Sequence, residues 1–243
     1  MSFNFVRIFR KVTRGFGLLI RKYDASTNED ARLLKLLEHY KIDYVLDIGA
    51  NVGQYAMALI DQGFKKNIIS FEPLENEYKQ LLKESKNHPN WTIYEKCALG
   101  GTESEMTINI SKNSYSSSLL PMLDSHKKSA PDSAYVRTEK IKVYRLDDVI
   151  KKLNIPTQNL FMKLDVQGFE HEVLEGAQET LKTCKGVQIE VSLVPLYEGT
   201  KYYFDDYLTY FKEKGFELIA IHPVFTDKNT GQVLQCDLTY FRK

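Results

Sequence analysis

Two groups of residues in this sequence are spaced for chemistry. The first is Asp47-Ile48-Gly49-Ala50-Asn51-Val52-Gly53, followed by Glu72, 25 residues after Asp47. Tyr44-Val45-Leu46 ahead of it is apolar and stops at glycine, as a short buried strand entering a tight turn does. Glycines at 49 and 53 let the backbone turn sharply and pass close to a ligand. Glu72 ends the next apolar run, and a carboxylate there can accept both ribose hydroxyls of an adenosine. The second group is Asp165 and Glu190, acids in two later runs whose neighbours are apolar.

The glycine spacing decides which adenosine compound fits. A dinucleotide loop reads GxGxxG, whereas this one is GxxxG and lacks the central glycine that a pyrophosphate requires. Asp47 beside the loop would repel pyrophosphate and attract the ammonium of a methionyl group, directly or through water. S-adenosyl-L-methionine therefore fits better than a nicotinamide dinucleotide, and a nicotinamide-dependent oxidoreductase is the alternative.

In the second group, Phe161, Lys163 and Asp165 share one face of their strand, and Gln188, Glu190 and Ser192 share a face of the next. Charged groups in central strands are costly unless paired. One reading pairs Lys163 with Glu190. The other has Asp165 and Glu190 orient or deprotonate an acceptor hydroxyl, with Glu170 or His222 as further candidate bases. Carboxylates suit a divalent ion, but no ligand set is identifiable and no metal is predicted. His171 reads as a helix-capping residue. Asn113 to Ser118, rich in hydroxyls, could face a polar acceptor or be a solvated loop.

These residues need elements to hold them. Ser26 to Glu29 reads as a capping box before a helix through Tyr40. Strands are expected at 44–49, 67–71, 91–97, 160–166, 187–191, 216–222 and 233–241. Helices are expected at 51–62, 75–85, 170–183 and 204–214. The last connection is too short for a crossover, so the last two strands should be antiparallel. The pattern predicts an α/β fold, a mostly parallel doubly wound seven-stranded sheet with an antiparallel last strand, whose ligands lie at the carboxyl ends of the strands. An insert at about 100–147 reads as a strand pair carrying a mobile loop at 111–134. The domains expected are a basic N-terminal extension, 1–40, and a catalytic domain, 41–243.

Net charge is +1 over 243 residues, so nucleic acid is not expected as a partner. Residues 1–22 hold six basic groups and no acidic one, leaving 27 basic against 32 acidic elsewhere. With their phenylalanines they read as a helix docked on the domain or, alternatively, as an interfacial helix making weak peripheral contact with an anionic membrane. Three scattered cysteines, no apolar run of spanning length and no secretory signal suggest a cytoplasmic protein.

The sequence as a set of motifs resembles the FkbM-type methyltransferase family. The matching stretches are Val45 to Tyr55, Ser70 to Pro73, Ala98 to Gly100, Arg145 to Asp148, Met162 to Glu170, Glu175 to Ala177 and Glu190 to Gly199. The resemblance implies a Rossmann-like class I fold and S-adenosylmethionine-dependent O-methylation of a sugar, glycan or natural-product hydroxyl. By position, Asp47, Gly49, Ala50, Asn51, Gly53, Glu72 and Pro73 would bind the cofactor, with Ala98 and Leu99 near its adenine. One departure is Gln167, where the family commonly has Glu; a hydrogen-bonding role would survive the change, a base or ligand role would not. A non-catalytic binding protein held at membranes by the basic N-terminus is the alternative from outside the enzymes.

Overall fold

The computed structural model describes residues 3–243. Met1 and Ser2, at the head of the basic N-terminal segment, lie outside the described residues, as do the side chains of residues 3–6 and 8.

The chain begins with α1 (Phe3–Gly15) and α2 (Glu29–His39). It then alternates β1 (Tyr44–Ile48), α3 (Gln54–Asp61), β2 (Asn67–Phe71), α4 (Glu75–Glu84) and β3 (Trp91–Ile93). A separate excursion follows: β4 (Ala98–Leu99), β5 (Ser104–Ser111), α5 (Asp124–Ser129) and β6 (Tyr135–Tyr144). The alternation resumes with α6 (Leu146–Leu153), β7 (Leu160–Leu164), α7 (Glu170–Glu175), α8 (Gln178–Thr183), β8 (Gly186–Ser192) and α9 (Phe204–Glu213), and ends in β9 (Glu217–Thr226) and β10 (Val233–Phe241).

Seven strands form one sheet in the order β3-β2-β1-β7-β8-β10-β9. All neighbours pair in parallel as far as β8, while β10 runs antiparallel between β8 and β9. This is the doubly wound sheet predicted from the alternation. Its strand order reverses between β1 and β7, so a crevice opens above the carboxyl ends of those two strands. β7 is buried along its whole length and β1 from Val45 onward, as central parallel strands must be.

Several expectations shift for local reasons. Helix α3 starts only at Gln54, because Asn51 (φ 47°) and Gly53 (φ 92°) are left-handed and belong to the loop. The residue capping α2 is Asn28, whose side chain accepts from Ala31 N; Ser26 instead bonds Asp24. Strand β3 is three residues long, since the chain leaves at Tyr94 for a small sheet of order β4-β6-β5. The helix expected over 170–183 breaks in two at Gly176, where a Cβ would lie 2.1 Å from the Gly100 carbonyl oxygen. Helix α6 has no counterpart among the expected elements. Helix α2, expected in the N-terminal extension, buries Leu33 and Leu37 in a core shared with Leu59, Phe161 and Phe241.

Among the described side chains of the first segment, several apolar ones face outward. Val12, Phe16, Leu18, Leu19 and Ile20 are all more than half exposed. Among the described residues, no helix is long and apolar enough to cross a membrane.

Candidate active site

Strand β1 delivers the loop 49–53 to the sheet's carboxyl edge. Gly49 has φ 78°, and a Cβ there would sit 1.9 Å from the carbonyl oxygen of Asp165. The two central strands thus approach so closely that only glycine passes between them. The amides of Gly49 and Ala50 both donate to Phe71 O. Gly53 packs against Trp91 and Leu81, where a Cβ would clash at 2.6 Å.

Glu72 joins this loop to the end of β2. One carboxylate oxygen accepts from Asn51 N and the other from Leu74 N, each at 2.8 Å. Two bonds leave about half of the carboxylate's acceptor sites open. Burial pushes this carboxyl up to about 8, despite those backbone bonds.

A cavity of about 190 Å³ lies over these residues. Gly49, Asn51, Glu72 and Pro73 form one wall, and Phe71, Cys97, Ala98, Leu99 and Phe169 an apolar slot beside it. Asp165, Gln167 and Glu190 also line it, and Ser114, Tyr115, Ser117 and Leu119 reach in from the insert. None of the lining residues is a lysine, arginine or histidine. The segment expected to be a mobile loop is tied down by hydrogen bonds: Ser114 Oγ accepts from Asn51 Nδ2 at 3.1 Å and Ser118 Oγ donates to the carbonyl of Gln167 at 2.7 Å.

Asp47 lies beneath the loop, fully buried, and is not part of the cavity wall. It accepts from Ser70 Oγ at 3.1 Å and faces Lys163 Nζ at 3.4 Å. Lys163 also pairs with Asp165 at 3.4 Å and donates to Gly49 O at 3.3 Å. Of the two readings, the Lys163–Glu190 pair does not form; Lys163 pairs with Asp47 and Asp165 instead. Burial opposes the Lys163 charge, yet Asp165 and Asp47 outweigh it and hold the ammonium above the ordinary lysine range. Asp47 is thus tied to the lysine that also bonds the loop carbonyl of Gly49.

Asp165 and Glu190 do converge. Gln167 Nε2 donates to Asp165 Oδ1 at 2.7 Å and to Glu190 Oε2 at 2.8 Å. Gln167 Oε1 accepts from Tyr197 OH at 2.5 Å, and Gln235 Nε2 donates to Glu190 at 2.7 Å. Glu190 is fed by amides alone, and burial, reinforced by Asp165 and Asp237, pushes its carboxyl well above the usual range. Asp165 has a cation and a third of its side chain exposed. In the sequence Gln167 stands out only as a departure from a pattern and Tyr197 only as part of the matching stretch Glu190 to Gly199; Gln235 carries no signal, because only the folded sheet brings it alongside.

Other candidates fall away. Glu170 Oε1 accepts from the amides of Val166 (2.9 Å) and Gly168 (3.2 Å), so it closes the turn after β7 instead of facing the cavity. Burial pushes it up to about 7. His222 pairs with Glu29 on the far edge of the sheet. His171 stacks on Tyr202 at 3.9 Å and places Nε2 3.5 Å from Glu175 Oε1, so it caps no helix end. Ala50 is buried and outside the cavity wall. Among the described residues, no group of three His, Cys, Asp or Glu is placed to hold a metal ion.

The features present fit S-adenosylmethionine. A glycine passage admits a ligand close to the backbone, an acid has spare acceptor sites for ribose, apolar lining residues suit adenine, and the acids Asp165 and Glu190 line the same cavity.

Residues 47–218 match the Methyltransferase FkbM domain family. The hexuronic acid methyltransferase AglP of Haloferax volcanii is 26% identical over 168 residues, which is 69% of this chain; the chain spans 64% of that protein. Similar solved structures include an rRNA methylase from Streptococcus thermophilus (12% identity, TM-score 0.46, 93% of this chain and 99% of that one). Another is TehB from Haemophilus influenzae (11% identity, TM-score 0.45, 87% of this chain and 62% of that one).

Proposed function

The chain belongs to the FkbM methyltransferase family, and on that premise we propose that it methylates a hydroxyl oxygen of a sugar, as a free uronic acid or within a glycan, using S-adenosylmethionine. The observation that carries this reading is the pair of carboxylates joined by Gln167 in the cavity that Glu72 also lines. An alcohol is a poor nucleophile unless its proton is removed or shared as the new bond forms.

S-adenosylmethionine, when bound, supplies a methyl group already activated by a sulfonium. Glu72 would hold the ribose hydroxyls through its open acceptor sites, next to the turn that Gly49 and Asn51 shape, and Phe71, Leu99 and Phe169 would pack on the adenine and exclude water. Asp165 takes the proton of the acceptor hydroxyl, and Gln167 fixes its orientation. Glu190, supplied by two amides, accepts a second hydroxyl of the sugar or donates to it. Ser114, Tyr115 and Ser117 give the insert polar groups for the rest of the acceptor. Most of the rate then comes from positioning.

An acid pair suits a hydroxyl, whose proton must be removed or shared, and a uronic acid's own carboxylate would lie away from this acid-lined cavity. The similarity to a hexuronic acid methyltransferase supports a uronic acid as the sugar. The test is transfer of labelled methyl to a panel of uronic acids, neutral sugars and glycans. Transfer to a uronic acid or glycan is expected. Cofactor binding without transfer to any of them counts against the proposal.

A further inference from the structure

The segment ahead of α2 combines three features that the methyl-transfer site does not use. Arg10, Arg14, Arg21 and Lys22 line one surface cleft of about 350 Å³, together with Leu19 and Ile20. Phe16 is 77% exposed and Leu19 61%, in a molecule whose other large apolar side chains are mostly buried. No acidic residue occurs before Asp24, while the rest of the chain is net acidic.

On the α1 sequence the two characters separate by helical spacing. Arg7, Lys11 and Arg14 recur at i, i+4 and i+7, and Phe9 and Val12, three apart, fall on another face. Beyond Gly15 the chain turns back, with Leu18 N donating to Thr13 O at 2.9 Å. That turn brings Leu19 to Lys22 beside Arg10 and Arg14. Lys22 is shared with Asp24 at 3.2 Å, leaving the three arginines as the larger part of the charge.

We propose that this N-terminal segment docks the protein on an anionic phospholipid bilayer. Phosphate headgroups enter the cleft of Arg10, Arg14, Arg21 and Lys22, and Phe16, Leu18, Leu19 and Ile20 insert among the acyl chains. A bilayer presents negative charge directly above apolar material, and this segment presents cations directly beside exposed apolar side chains. Guanidinium forks match phosphate oxygens, and each cation near such a surface contributes about a fivefold gain in binding.

The full chain is to be sedimented with phosphatidylcholine vesicles with and without phosphatidylserine, at low and high salt. Two variants accompany it: Arg10→Glu/Arg14→Glu/Arg21→Glu and Phe16→Ser/Leu19→Ser. S-adenosylmethionine binding in each variant reports an intact fold. The wild-type chain is expected to sediment with the serine-containing vesicles alone, more weakly at high salt. The arginine variant should lose at least about 100-fold in vesicle affinity and the apolar variant at least about tenfold. Three results would overturn the proposal: no vesicle binding by the wild type, vesicle binding undiminished in the arginine variant, or binding of inorganic phosphate without vesicles. Concentration-dependent self-association abolished by the same substitutions would assign the face to a second copy and overturn it equally.

Discussion

Gln167 hydrogen-bonds Asp165 through its side-chain amide at 2.7 Å, and the other amide hydrogen goes to Glu190 at 2.8 Å. Both donors of one amide are thereby committed to two acids that would otherwise repel each other. Its backbone is left-handed, with φ 57°, a conformation that persists only where the surroundings hold it. Here the Tyr197 hydroxyl and Ser118 hold it from two sides. Gln167→Leu should therefore leave both carboxylates short of a donor and lower stability by about 1–3 kcal/mol. Its kcat should fall at least about tenfold, with little change in cofactor affinity. Thermal melts and steady-state rates on the same preparation check this. Unchanged kcat would mean that the bridge positions nothing.

Glu72 makes the cofactor site pH-dependent. Its carboxyl is raised from 4.5 to about 8, first by burial. Ribose hydroxyls donate best to the ionised form, so binding should expel the proton. S-adenosylmethionine affinity is then expected to rise, by at most about tenfold per pH unit, until pH passes the folded value and to level off above it. Stability without ligand runs the opposite way. The folded carboxyl holds its proton more tightly than the unfolded one, so its contribution is complete below 4.5 and is lost as pH rises through about 8. Glu72→Gln should flatten both profiles and weaken binding by about 1–3 kcal/mol. Calorimetry across pH on wild type and variant measures the first, denaturant melts the second. Parallel profiles in the two proteins would remove Glu72 from the cofactor site.

The two carboxylates at the acceptor end should separate on substitution. Asp165 faces Lys163 at 3.4 Å, while Glu190 is bonded by the amides of Gln167 and Gln235. Asp165→Asn is expected to fold, bind cofactor and lose about 10²–10⁴-fold in kcat. Glu190→Gln should cost less in kcat and raise the acceptor KM instead. Equal kcat losses would make the pair a shared base, and a well-folded, fully active Asp165→Asn would exclude Asp165.

Gly49 is the position where the fold tolerates least. Its φ is 78°, and an added Cβ meets the Asp165 carbonyl oxygen at 1.9 Å. Gly49→Ala should lose about 1–3 kcal/mol from the forced shift alone, with the backbone strain added, and should weaken cofactor binding. A melt within experimental error of wild type would show that β1 and β7 can part without consequence.

Much of this arrangement is legible in the residues themselves. The alternation of apolar runs and helical stripes specifies the sheet, because parallel strands must be buried on both faces. Asp165 and Glu190 stand out as acids within such runs. The sequence misleads where a partner lies far along the chain. Adjacent strands suggest Glu190 as the partner of Lys163; in the fold, parallel pairing sets Asp47 opposite Lys163. Glu170 reads as an available acid, but the turn it follows uses its oxygen to bind two amides. Gln235 and Tyr197 lie 68 and 30 residues from Gln167, and no local pattern ties either to Asp165.

The central claim is that methyl transfer goes to a hydroxyl oxygen. Its most direct test is to incubate the chain with S-adenosylmethionine carrying an isotopically labelled methyl group and a uronic acid or uronic acid-containing glycan, and to locate the label by NMR. Predicted is an ether methyl on a ring hydroxyl carbon, stable to mild alkali and absent with Asp165→Asn. A label released by mild alkali, and so sitting on the uronate carboxyl as an ester, or one found on nitrogen, would contradict the account.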